Sequence, residues 1–128
     1  MGRLILATSF LVTANLPLLA AAMTVEEYRA ISRGEDPYRT EQDLQDYLTA
    51  TLDGLLMLGD FNQRDRAAMF CVPRQEVFNI NVLEFRAAFD AMLDELDRQL
   101  PDFRELAQSR SVGLAALQLL TMMYPCER

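Results

Sequence analysis

The 128-residue chain has no lysine and no histidine: all 12 basic residues are arginine, set against 19 acidic ones, for a formal charge of −7. Without histidine there is no Ser-His-Asp or Cys-His pair to activate a nucleophile, and the conceivable metal ligands reduce to carboxylates and two cysteines. The acidic balance argues against a nucleic-acid binder, which needs a basic face to displace counterions from phosphates, and points instead to a basic or anionic-surface partner. No stretch alternates with period two for long enough to propose a strand. There is no internal repeat, low-complexity tract or linker. The absences together describe one small domain that binds rather than catalyses, without a metal or cofactor.

What is present begins with an export signal. Arg3 precedes the apolar run Leu4 to Leu19, and Ala20-Ala21-Ala22 supplies small residues for a signal peptidase. Asn15 and Pro17 interrupt the run, which is at the short end of what spans a bilayer, so it suits a cleaved signal better than a permanent anchor. Residues 1–22 are expected to be a signal peptide and residues 23–128 one domain in the periplasm, free of the membrane after cleavage. Losing Arg3 leaves 19 acids against 11 arginines, a charge of −8. Cys71 and Cys126 are the only cysteines. An even count in an exported chain is read as one disulfide, whereas two buried free thiols would suit a chain kept in the cytosol.

Helical spacing runs through the remainder. Thr24 and Glu27 have the form of a capping box, with Val25, Tyr28 and Ile31 repeating at threes before Gly34. Glycine and proline make 34–39 a turn or loop, after which Thr40 offers an N-cap to a second helix. There Leu44, Tyr47, Leu48, Thr51, Leu52, Leu55 and Leu56 share one face, Gly54 interrupts, and Gly59 is expected to end the helix. Asn79 is expected to cap a third helix carrying Val82, Phe85, Phe89, Met92, Leu93 and Leu96, ended by Pro101. A last helix from near Asp102 would turn Leu106, Gly113, Leu117, Leu120 and Tyr124 inward and stop at Pro125, so that Cys126 can meet Cys71. The expected fold is all-α, a bundle of four or five helices stapled by one disulfide.

Candidate chemistries have plain explanations. Asp90, Asp94 and Asp97 share one side of the third helix, where carboxylates could hold a cation, but Arg86 and Arg98 lie four residues from Asp90 and Asp94 and favour a solvated, ion-paired face. Asp60-Phe61-Asn62 has the opening of a calcium loop, yet Asp65 stands where glycine is required and Cys71 where glutamate should bind, so the match fails. Met57, Met69, Met92, Met122 and Met123 are assigned to packing. Tyr38 and Arg39 have the chemistry of interface anchors in what is otherwise an ordinary exposed loop.

The order Phe70-Cys71-Val72-Pro73, a long helix ending near Pro101, Ala115-Ala116-Leu117 and Tyr124-Pro125-Cys126, together with Tyr47, Gly54 and Gly59 upstream, resembles the Rap/Tai family of periplasmic immunity proteins. The resemblance covers roughly Tyr47 to Cys126. It implies a secreted, all-helical protein that performs no chemistry and blocks a peptidoglycan amidase delivered by a type VI secretion system, commonly as a homodimer. The two cysteines match the family's disulfide positions. The matching positions are framework, so partner contacts are sought elsewhere: Asp60, Asn62, Gln63, Arg64, Asp65 and Arg66 form a polar stretch expected to project as a loop near the disulfide. Two alternatives are an acid-activated periplasmic chaperone of the HdeA type, suggested by the many carboxylates, and an orphan envelope protein of the same fold.

Overall fold

The computed structural model describes residues 22–64, 68–77 and 79–127. The apolar segment assigned to the export signal lies outside the described residues, apart from Ala22. Five helices follow one another: α1 (Val25–Ser32), α2 (Glu41–Arg64), α3 (Val82–Gln99), α4 (Phe103–Ser109) and α5 (Val112–Met123). The described residues contain no strand, only an isolated antiparallel bridge between Thr24 and Ser111. The fold class is all-α, and the cysteines form the disulfide Cys71–Cys126. No described helix is long and apolar enough to cross a membrane.

Local chemistry explains most boundaries. Thr24 Oγ1 accepts from the Glu27 N–H, and the Glu27 carboxylate accepts from the Thr24 N–H, completing the capping box of α1. Gly34, at φ 70°, takes the left-handed conformation that turns the chain out of this helix. Asp36 Oδ1 accepts from the Tyr38 and Arg39 N–H groups at 2.8 Å each, an Asx turn that delivers the chain to α2. Thr40 and Asp43 then exchange hydrogen bonds as Thr24 and Glu27 do. Leu44, Leu48, Leu52 and Leu56, spaced by four, are buried along α2, and Phe85, Phe89 and Leu93 are buried along α3. Tyr28 meets Phe89 edge-on at 5.1 Å between centroids, joining α1 to that stripe.

Four expectations need correction. Helix α2 does not stop at Gly59 but runs on to Arg64. Gly59 is buried under the Phe70 ring, and a Cβ there would lie 2.5 Å from its Cε2, so glycine serves close packing rather than termination. Gly54, with nothing within 4 Å of its Cβ position, has no such partner. The cap of α3 is Asn81, whose side chain accepts from the Leu83 N–H at 2.9 Å. Asn79 instead belongs to the turn after Pro73 and donates to the Gln75 carbonyl. The last helix is two helices, α4 and α5, because the extended first residues wedge into the break. The Val25 N–H donates to the Arg110 carbonyl and the Val112 N–H to the Met23 carbonyl, both at 2.9 Å, while Ser111 caps α5 through the Leu114 N–H. Leu106, expected inward, is 41% exposed on α4.

Candidate interaction surface

The chemistry-bearing side chains on α1 and α3 hold the bundle together. Arg29 of α1 reaches Asp97 at 3.0 Å and Asp94 at 3.1 Å, and its guanidinium lies over the Phe103 ring at 5.5 Å from the centroid. Tyr28 donates to Asp90 at 2.7 Å; burial first, and that carboxylate second, push the phenol well above the ordinary tyrosine range. Arg86 bonds Glu41 of α2 and lies 3.8 Å from Asp90, and its bond to Glu41 holds its pKa above the usual arginine value. The acidic row on α3 therefore meets Tyr28 and Arg29 of α1 and Arg86 of its own helix. No group of three or more metal-ligating side chains that could hold an ion occurs among the described residues. Arg39 is likewise engaged, bonding Asp36 at 2.8 Å and Glu27 at 3.4 Å, while Tyr38 stands 92% exposed beside it.

The end of the bundle nearest the disulfide has a different character. Residues 68–72 run between the last turns of α2 and the chain after α5: Phe70 covers Gly59, Gln63 Nε2 donates to the Val72 carbonyl at 3.2 Å, and the Cys71 N–H donates to the Tyr124 carbonyl at 2.8 Å. With Cys126 bonded to Cys71, the segment is tied on both sides. At this end Met57 is 75% exposed, Met69 62%, Met122 64%, and Leu58 and Met123 are also exposed.

The packing role expected of the methionines thus holds only for half-buried Met92. Met57 falls on the face of α2 opposite Leu44, Leu48 and Leu52, Met122 in the last turn of α5 at the margin of its buried face, and Met69 in the connecting segment where no helix covers it. Flexible, polarizable thioethers in such positions form an adaptable apolar surface.

The polar residues expected here are placed otherwise than as a projecting loop. Asp60, Asn62, Gln63 and Arg64 complete α2; Asp60, Asn62 and Gln63 are half-buried, and Gln63 is committed to the backbone of Val72. Asp65 and Arg66 lie outside the described residues. The structure therefore places Asp60, Asn62 and Gln63 in the last turns of α2, at the end of that helix which Gln63 joins to the segment carrying Cys71. The sequence signal was Met57, out of phase with the leucine stripe of α2, together with Met69, Met122 and Met123 close in sequence to the two cysteines. Comparison with protein-family models, curated proteins and solved structures found no match to this chain.

Proposed function

We propose that this chain is a periplasmic immunity protein that binds a secreted peptidoglycan amidase and occludes its active site without performing chemistry. The observation that carries the reading is the disulfide end of the bundle: Met57, Leu58, Met69, Met122 and Met123 are exposed in the last turns of α2 and α5 and in the covalently tied segment between them, on an otherwise acidic body. A preorganised apolar centre loses little freedom on binding, and the negative charge would speed encounter with a basic enzyme. Export and removal of residues 1–22 fit the start of the packed body: Ala22 is exposed, whereas Met23 is buried, its N–H donating to Tyr47 Oη at 3.2 Å.

The test is to co-export the chain with amidase effectors, beginning with one encoded beside it, and to score growth and complex formation. The reading expects one amidase to be bound and its toxicity relieved. Mild peroxide should oxidise the exposed methionines ahead of buried Met23 and abolish binding while helical circular dichroism is unchanged. Protection of many unfolded clients only in acid, with no amidase bound, would replace the reading with the chaperone alternative.

A further inference from the structure

A crevice of about 120 Å³ opens between the end of α3, α4 and the first half of α5. Its walls are apolar, including buried Leu93, Phe103 and Ala115, and exposed Leu100 and Leu106 belong to it as well. Arg110 and Gln118, both exposed, are its only polar residues. Among the described residues no carboxylate pairs with the Arg110 guanidinium, in a chain where acids outnumber arginines 19 to 12. An apolar slot with one unpaired cation beside it is complementary to an apolar chain that ends in a negative charge. A cavity of about 150 Å³ holds the six carbons of benzene, which sizes this one for a tail of about five carbons.

We propose that the crevice binds a short free fatty acid, its tail of about five carbons among the leucines and Phe103 and its carboxylate on Arg110 with the Gln118 amide beside it. The crevice flanks the first half of α5, away from Met122 and Met123 in its last turn, so occupation is separable from partner binding and the inference does not depend on the amidase.

The experiment titrates the exported, oxidised protein with butanoate, pentanoate, hexanoate and octanoate, following amide and methyl NMR shifts. Affinity should rise about fourfold per methylene as far as hexanoate and then flatten, with the shifts centred on Leu93, Arg110 and Ala115. Arg110→Gln, a change at an exposed residue, should weaken hexanoate about tenfold, the worth of one charge-assisted bond, and leave the spectrum of the free protein otherwise intact. Hexylamine should bind more weakly than hexanoate. Three results would overturn the proposal: no saturable shift with millimolar hexanoate, equal binding of hexylamine, or tighter binding of N-acetyl-leucine, which would mark the crevice as a receptor for a peptide carboxy-terminus.

Discussion

Gly54 and Gly59 lie five residues apart in α2 and respond in opposite senses to the same added methyl group. Around Gly54 the Cβ position is empty, so Gly54→Ala should raise stability by up to about 1 kcal/mol through helix propensity and the unfolded-state entropy of glycine. At Gly59 the same change drives a Cβ into the buried Phe70 ring, and overpacking of about 1–3 kcal/mol should outweigh the propensity gain. Urea denaturation of the two variants checks this, and a stabilised Gly59→Ala would mean that the ring moves aside cheaply. Tyr28→Phe belongs to the same scale. It removes the donor to Asp90 from a buried ring and should cost about 1–2 kcal/mol by the same measurement.

At the scale of elements, the junction from α1 to α2 is built on carboxylates that accept backbone N–H groups. The Thr24 N–H holds Glu27 below its ordinary 4.5, the Tyr38 and Arg39 N–H groups hold Asp36 below 3.8, and the Thr40 N–H holds Asp43 below 3.8. A carboxylate whose folded pKa is depressed contributes stability that is complete above its unfolded value and is lost as pH falls through the folded one. The urea midpoint should therefore be insensitive to these groups from neutrality to about pH 5 and decline below about 4.5. Replacing Glu27 with Gln and Asp36 with Asn together should flatten that decline, and an unchanged acid slope would place the sensitive groups elsewhere. The caps Thr24 and Thr40, like the leucine stripe of α2, were legible in the sequence because each depends on residues three or four apart. The candidate surface was legible only as a neighbourhood: Asp60 to Gln63 belong to the last turns of α2, where Gln63 bonds the Val72 carbonyl and Phe70 covers Gly59, long-range packing that no local pattern announces. The break between α4 and α5 was hidden for the same reason. Ser111 has the form of a cap, but what opens the helix is hydrogen bonding to Met23 and Val25 from the far end of the chain.

For the molecule as a whole, the disulfide closes a sequence separation of 55 residues. On the chain-entropy account its reduction should lower unfolding free energy by about 4 kcal/mol, a large part of what a domain this size has. Denaturation with and without reductant measures it, and a loss under about 1 kcal/mol would show that residues 68–72 hold their place through Phe70, Gln63 and the Cys71 to Tyr124 hydrogen bond without the covalent tie.

The pairing of Met23 and Val25 with Arg110 and Val112 also fixes an order of events. A chain that emerges amino end first, as from a ribosome, cannot seat Met23 and Val25 until position 112 has emerged, and cannot join its sulfurs until position 126 has. Until then both of these links stay open. Shortening the tail before Val112 would leave the front of the chain with nothing to latch onto.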